Sequence, residues 1–226
     1  MCEMFVDNDV LIKLSAFDLL HAIVHPDCAA GCQARAGVLG AAPFVVRKRL
    51  GKRVAGDPSE ALSRFEAFMA EARLLEPSPE ELETSVNLEE AALRLGAELD
   101  AGESQLCAIS LHRGLPLVLT GDKRAIEAAE RLLSEVPDLI RLTARLACLE
   151  QAAVLAVHRL GALEVRRRVV AQPEMDRALS ICFSYTNPYV PDDFYPTGLK
   201  SYIEDVRKSA PTVLLPGLVL RLGSTT

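Results

Sequence analysis

Residues 99–124 read LDAGESQLCAISLHRGLPLVLTGDKR, and this stretch indicates the type of fold. A helix is predicted to start near Glu103 and to stop at Gly114, because glycine commonly follows the last residue of a helix. The apolar run over residues 115–120 is typical of a buried strand and ends abruptly before Asp122. The pattern therefore places Asp122 just beyond the carboxyl end of a strand.

A similar pattern stands near the N-terminus, where the apolar residues 4–6 run directly into Asp7. Continuous apolar runs of this kind are typical of strands in a parallel sheet, which are buried on both faces. Right-handed crossovers bring the carboxyl ends of parallel strands to one edge of the sheet, where ligands bind in open α/β folds. We therefore expect Asp7 and Asp122 to lie close together, although they are far apart in sequence.

The remaining chain alternates between helical and strand-like patterns, which predicts an α/β protein with a central parallel sheet and helices on both faces. Helices are predicted over residues 11–24, 59–75, 80–99, 123–133 and 143–160, and short strands within residues 38–46 and 137–140. From about Val165 the character changes to a run of arginines and then a segment rich in proline and tyrosine. Residues 151–226 are therefore expected to be a C-terminal extension of helices and loops.

The amino-acid composition is that of a globular protein. Half of the 226 residues are apolar and a quarter are charged, as in ordinary globular domains. The net charge of −6 argues against a surface that is basic throughout, although it allows a local basic strip. No membrane span or signal peptide is predicted, and six cysteines without framework spacing indicate reduced thiols, so a cytoplasmic protein is expected.

Several acidic residues are expected at the same edge of the sheet. Carboxylates that lie so close cannot all stay ionised without a counter-charge, and a hard divalent cation resolves the repulsion. Mg²⁺ and Mn²⁺ prefer such oxygen ligands and can activate a water for phosphodiester hydrolysis. The predicted ligands are Asp7, Asp9, Glu103 and Asp122, with Asp100 in reserve.

Three segments together resemble the PIN-domain nucleases: FVDNDVLI (residues 5–12), LDAGESQLCAISL (residues 99–111) and PLVLTGDKRA (residues 116–125). The resemblance covers roughly residues 4–145 and implies that residues 1–150 form a three-layer α/β/α sandwich. It further implies Mg²⁺- or Mn²⁺-dependent hydrolysis of single-stranded RNA, in RNA processing or as a toxin that an antitoxin protein neutralises. A homodimer is also expected from the family.

The resemblance also implies roles for individual residues. Asp7, Glu103 and Asp122 match the catalytic, metal-binding acids of the family. Asp9 stands where the family usually has Asn or Ser, and it is expected to assist at the metal. The hydroxyl of Thr120 is expected to support the site, as is Asp100.

One departure from the family pattern motivates a second hypothesis. The family usually has another acid on a helix in the first half of the domain, whereas the corresponding region here, PFVVRKRL (residues 43–50), is basic. Glu60 and Glu66 are candidate substitutes. Without such an acid, the chain is instead expected to be a catalytically weak PIN-like module that binds RNA or protein.

A basic strip offers a candidate RNA-binding surface through contacts with phosphates, and a solvated surface turn is the alternative interpretation. Its residues are Arg47, Lys48, Arg49, Lys52 and Arg53. Aromatic residues further along the chain could stack on unpaired bases or form a packed lid. They are Tyr185, Tyr189, Phe194 and Tyr195.

Two further chemistries remain as alternatives. Asp7 and Asp9 resemble the DxD start of haloacid-dehalogenase-type phosphatases, with Asp7 as nucleophile and Asp9 as general acid, but this assignment leaves Glu103 without a role. A zinc site could in principle be built from two histidines and two cysteines, although Pro26 interrupts the helical spacing between the two pairs. Its candidate ligands are His21, His25, Cys28 and Cys32.

Overall fold

A computed structural model describes residues 3–24, 35–187, 189 and 195–220. Within these residues a five-stranded sheet forms, with all strands parallel and in the order β3-β2-β1-β4-β5. The prediction of an α/β fold on a central parallel sheet is confirmed. The strands are β1 (Glu3–Val6), β2 (Arg35–Leu39), β3 (Arg73–Leu75), β4 (Leu117–Thr120) and β5 (Leu146–Cys148).

The two strands that precede the predicted acids are neighbours at the centre of the sheet. Phe5 of β1 pairs with Val118 of β4, and Val6 pairs with Leu119. These side chains are buried, because the central strands of a parallel sheet have helices on both faces. The backbone N–H of Asp7 donates to the carbonyl of Leu119 at 3.0 Å, so the ladder continues to the first acid of the site.

Helices cover both faces of the sheet. The helices are α1 (Asn8–Ala16), α2 (Leu20–Val24), α3 (Ala42–Arg53), α4 (Ser59–Met69), α5 (Pro79–Leu95), α6 (Ala101–Arg113), α7 (Lys123–Leu132), α8 (Leu149–Leu160), α9 (Ala162–Val170), α10 (Arg177–Cys182) and α11 (Tyr195–Ser209). One hydrophobic cluster is formed by α1 to α4 and α8 to α10, and the other by α5, α6 and α7, while α11 contributes Leu199 to the first and Ile203 to the second.

The predicted helix over residues 11–24 is two helices in the structure. The chain leaves α1 after Ala16, and Asp18 has a φ of 56°, a left-handed conformation that interrupts a right-handed helix. α2 then starts at Leu20. The apolar spacing continues through the break because both helices bury their apolar residues in the same core, so the pattern alone does not reveal the interruption.

Two short strands were not predicted where they occur. Residues 73–75, expected to be helical, form β3 and pair with β2 at the edge of the sheet. The expected strand at residues 137–140 is part of a 3₁₀ helix (Pro137–Leu142), and β5 follows at Leu146–Cys148. A strand of three residues is too short to show a periodicity, so only pairing with a neighbouring strand determines it.

The C-terminal residues share their hydrophobic cores with the rest of the chain. Val169 and Phe183 belong to the same buried cluster as Val6, and Ile203 and Val213 belong to the cluster on the other face of the sheet. Within the described part of the chain, no helix is both long and apolar enough to cross a membrane.

We expect Phe183→Ala to destabilise the whole fold in one cooperative step. Its ring is fully buried, so its removal leaves a cavity and should lower the free energy of unfolding by about 3–5 kcal/mol. Urea denaturation followed by far-UV circular dichroism measures this change. Leu163→Ala, at a side chain that is 62% exposed, is the control. A separate early transition in the variant, with the main transition unmoved, would instead indicate that residues 151–226 unfold independently.

Candidate active site

A cleft of about 690 Å³ opens at the carboxyl edge of the sheet. Five carboxylates and five basic side chains line it, so it is strongly charged without a large excess of either sign. All five acids that were predicted from the sequence are present: Asp7, Asp9, Asp100, Glu103 and Asp122. The basic residues are Lys13, Arg49, Arg53, Lys123 and Arg124.

Thr120 connects the acids that follow β1 and β4. Its Oγ1 donates to Oδ2 of Asp7 at 3.5 Å and accepts a hydrogen bond from the backbone N–H of Asp122 at 3.1 Å. The hydroxyl is buried at the end of β4, where its position is set by the sheet. The supporting role expected for Thr120 stays a prediction.

Glu103 reaches the cleft from the first turn of α6. Asp100 is the N-cap of this helix and accepts from the backbone N–H of Glu103 at 2.8 Å, while the Glu103 carboxylate accepts from the backbone N–H of Asp100 at 2.9 Å. This reciprocal arrangement is a capping box, which fixes the helix start and its first side chains. Glu103 therefore faces the cleft from a rigid position.

Asp7 and Glu103 both hold their protons more tightly than ordinary carboxyl groups. Burial raises the pKa of Asp7 to about 6, and the nearby charge of Asp9 adds to the effect, while backbone N–H groups at the start of α1 act in the opposite direction. Burial also raises the pKa of Glu103 to about 7, with further contributions from the charges of Asp100, Asp122 and Asp7. The two carboxylates thus lie in a partly desolvated, negatively charged environment.

Asp122 is in a different state, because it is paired with Arg124. Burial acts to raise its pKa, but hydrogen bonds from the side chain and backbone of Arg124 outweigh burial, and the pKa of Asp122 lies below its ordinary value. The guanidinium contacts Oδ2 of Asp122 at 2.8 Å and the Glu98 carboxylate at 2.6 Å. Asp122 also accepts from the backbone N–H of Arg124 as the N-cap of α7.

Asp9 is paired as well. Nζ of Lys13, one helical turn later in α1, lies 2.5 Å from Oδ2 of Asp9 and 2.8 Å from Oδ2 of Asp176. Burial lowers the pKa of Lys13, but the two carboxylates outweigh burial and raise it. The end of β4 approaches Asp9 so closely that a Cβ at Gly121 would be 2.4 Å from Oδ2. Glycine at this position therefore lets the carboxylate reach the edge of the sheet.

The basic strip lies on α3 and not in a surface turn. Arg49 and Arg53 line the cleft, whereas Arg47 is bound to Glu66, with Nε–Oε1 at 2.5 Å. Lys48 and Lys52 are exposed. Among the described residues, Arg49 has no ion-pair partner, and it is therefore the basic side chain of the cleft whose charge is not already neutralised by a carboxylate.

None of the first-half acids considered from the sequence lines the cleft. Glu66 is held by Arg47, and Glu60 is held by Arg64 at 2.7 Å. The wall that α3 contributes is basic, in agreement with the departure from the PIN pattern. Within the described residues, no three histidine, cysteine, aspartate or glutamate side chains converge as a ready-made metal site.

Several functional contacts were not predicted from the sequence. Lys13 stands within an apolar helix pattern, and Asp176 lies far away in the extension, so no local signal connects them. Lys123 likewise forms an ion pair with the buried Glu150 and lies over the ring of Tyr202, 4.2 Å from its centroid. Only the tertiary fold brings these partners to Lys13 and Lys123, the two lysines that line the cleft.

The other candidate sites from the sequence lie elsewhere. Of the four zinc candidates, His21 is in α2, and His25, Cys28 and Cys32 lie outside the described residues. Tyr195 stacks on Phe183 with ring centroids 6.1 Å apart. Tyr185 and Tyr189 are exposed away from the cleft, and Phe194 lies outside the described residues.

Comparison with known proteins adds no family assignment. A scan of the chain against protein-family models found no match, and a search of curated proteins found none either.

We expect the stability of the fold to decrease as pH rises through the range in which Asp7 and Glu103 ionise. Their folded pKa values of about 6 and about 7 exceed the ordinary values, so the folded state binds more protons than the unfolded state between about pH 4 and 7. Asp7→Asn removes one ionisation and should raise the free energy of unfolding at pH 8 by about 1–3 kcal/mol. Urea denaturation at a series of pH values measures this.

Asp205→Asn, at an exposed position on α11, is the matched control and should leave the pH profile unchanged. Equal stability of Asp7→Asn and the parent at pH 8 would contradict the assignment of a desolvation cost to Asp7.

Proposed function

We propose that the chain is a PIN-like, metal-dependent ribonuclease that hydrolyses phosphodiester bonds in single-stranded RNA. The observation that carries the proposal is a cleft at the carboxyl edge of a parallel sheet in which Asp7 and Glu103 are crowded with other acids and have no basic partner within the described residues. The same cleft contains the unpaired cation of Arg49. Oxygen ligands for a metal and a cation for a phosphate thus occur together.

The carboxylate oxygens that line the cleft are the donor type that a hard divalent cation such as Mg²⁺ or Mn²⁺ prefers, and in the described residues no three of them converge on one point. Asp7 and Glu103 would hold it, and Asp122 and Asp100 offer further carboxylate oxygens in the same cleft. Asn8 also lines the cleft, and its Oδ1 is buried without a hydrogen-bond partner in the described residues. When bound, the cation would lower the pKa of a water and neutralise charge on the phosphoryl group.

The protein's own residues would orient the reactants. Thr120 fixes the Asp7 carboxylate through its hydroxyl, and the capping box fixes Glu103. Arg49 would hold a phosphate oxygen of the substrate, as guanidinium groups commonly do. Preorganised groups of this kind contribute to catalysis by positioning and by stabilising the charge that develops during the reaction.

The exposed side chains of α3 are suited to binding a single-stranded nucleic acid. Phe44 lies in the first turn of this helix with 75% of its surface exposed, next to Val45, which lines the cleft. Lys48 and Lys52 follow at successive helical turns on the same side as Phe44. An exposed aromatic ring beside cations can stack on an unpaired base while the cations contact the backbone phosphates.

A second candidate function is a catalytically weak module that binds RNA or protein. It is favoured by the basic α3 wall, where the PIN pattern has an acid, and by the pairing of Asp9 and Asp122 with cations. An antitoxin protein and a homodimer stay predictions from the family resemblance. The phosphatase alternative, with Asp7 as nucleophile and Asp9 as acid, is tested by the same assay.

We expect Mn²⁺-dependent cleavage of a mixed pool of single-stranded RNA by the parent protein. Asp122→Asn should lower the rate by about 100-fold or more, since it removes a carboxylate of the proposed site, and a chelator should abolish cleavage. Asn also caps helices well, so α7 should persist in the variant. Gel electrophoresis of labelled RNA measures the rate.

Asp205→Asn serves as the matched control and should cleave at the parental rate. If the folded parent protein binds RNA without cleaving it, the binding module is the better description. Hydrolysis of small phosphomonoesters instead of RNA would favour the phosphatase.

We expect α3 to provide the RNA-binding surface. In the Asp122→Asn background, Arg49→Met should weaken binding of a fluorescent oligoribonucleotide about tenfold and reduce the salt slope of log Kd by about one, because one phosphate contact is lost. Phe44→Ala should weaken binding by about tenfold through lost stacking, with little change in the salt slope. Fluorescence anisotropy at several salt concentrations measures both.

Two exposed residues away from the cleft are the controls, Arg141→Met for charge and Leu93→Ala for apolar surface. Equal losses of affinity in a control and its matched variant would show that α3 is not the binding surface.

A further inference from the structure

The acids of the cleft divide into two groups according to what neutralises them. Asp7 and Glu103 have no cation within ion-pair distance among the described residues. Asp9, in contrast, has a cation at each oxygen: Nζ of Lys13 is 2.5 Å from Oδ2, and Nη1 of Arg53 is 3.9 Å from Oδ1. The side of the cleft that contains Asp9 therefore already has its counter-charge.

The ammonium of Lys13 is largely buried and is held by two ion pairs, so it is a fixed part of the fold. Its side chain is 11% exposed, and Asp176, which binds it at 2.8 Å from the other side, is 12% exposed. A buried ammonium is stable only when it is paired with carboxylates, and here two of them share it. Nζ would also lie 3.4 Å from a Cβ at Gly121, which places it against the end of β4.

The C-terminal part of the chain holds both cations in place. Asp176 is the N-cap of α10 and accepts from the backbone N–H of Leu179 at 2.8 Å, so its carboxylate has little freedom to move. The neighbouring carbonyl of Met175 accepts from Nη2 of Arg53 at 3.0 Å. Lys13 and Arg53 are thus both anchored by the residues that begin α10.

We infer that Lys13 occupies the place of a second cation at Asp9, so that the cleft takes a single divalent ion, at Asp7 and Glu103. This inference rests on the proposed function, because it specifies the metal content of the same site. It assigns Asp9 a part different from that of Asp7: Asp9 holds the resident ammonium at the edge of the sheet. It also makes Asp176 a positioning residue for Lys13.

The test counts Mn²⁺ ions bound by the full chain, using isothermal titration calorimetry and the electron paramagnetic resonance signal of free Mn²⁺. We expect one ion for the parent. The Lys13→Met/Asp176→Asn protein should bind two, because Asp9 loses the ammonium that neutralises it. The second substitution removes the carboxylate of Asp176, which would otherwise be buried without a cation. Asn retains the N-cap of α10. Adding Asp9→Asn to that pair should return the number to one.

Lys208→Met, at an exposed lysine of α11, is the matched control for the loss of one positive charge and should bind one ion. Two ions in the parent, or one ion in the Lys13→Met/Asp176→Asn protein, would overturn the inference and leave the proposed metal site intact. No bound ion in the parent would overturn the metal site itself.

A second comparison does not depend on the folding of the double variant. Asp9→Asn in the parent should change the affinity for Mn²⁺ by about fivefold or less, the size of a through-space charge effect. Asp7→Asn should lower the affinity by about 100-fold or more, because the loss of a group that only orients a metal ligand already costs about 10- to 100-fold. Equal losses in the two variants would mean that Asp9 binds the ion directly, and would overturn the inference.

Discussion

Repulsion among carboxylates at one edge of the sheet is the constraint on which the site depends. Pairing of β1 with β4 brings Asp7 and Asp122 together, and the capping box of α6 adds Glu103 and Asp100. In a partly buried cleft these charges cannot coexist without compensation. The structure compensates for them in three ways: by ion pairs, by hydrogen bonds, and by raising the pKa of the two groups that have no basic partner in the described residues.

The acids of the cleft therefore differ in whether a basic side chain is paired with them. Asp9 and Asp122 each have a basic partner, which keeps the carboxylate charged and fixed. Asp7 and Glu103 have pKa values of about 6 and about 7, so both keep their protons to a higher pH than ordinary carboxyl groups. A group in that condition gains most from a cation that arrives from solution, because the cation removes both the desolvation cost and the repulsion.

The C-terminal residues contribute to the cleft as well as to the core. Asp176 forms an ion pair with Lys13, and the carbonyl of Met175 accepts a hydrogen bond from Arg53. Tyr202, in the middle of α11, covers Lys123 with its ring. The residues just before α10 and one residue of α11 therefore position cations that line the cleft. This arrangement explains how a segment without an acidic motif of its own can influence the site.

Local patterns in the amino-acid sequence were sufficient to predict the class of fold and the acidic residues of the site. The apolar runs before Asp7 and Asp122 predicted parallel strands that end at one edge of the sheet, and the helix start predicted near Glu103 added a third acid, because these patterns are local. Short strands such as β3 and β5 escaped prediction, since three residues show no period and only their neighbours define them.

The ion pairs of the cleft, in contrast, depend on contacts between residues that are distant in sequence. Lys13 looks like an interruption in an apolar helix until Asp176 is placed beside it, and nothing near Arg49 in sequence shows that it would remain unpaired while Arg47 is bound by Glu66. Ion pairs between distant residues depend on where the fold brings two side chains and how much water it removes from them. Neither quantity is encoded in a local pattern, so the acids of the site could be predicted and their partners could not.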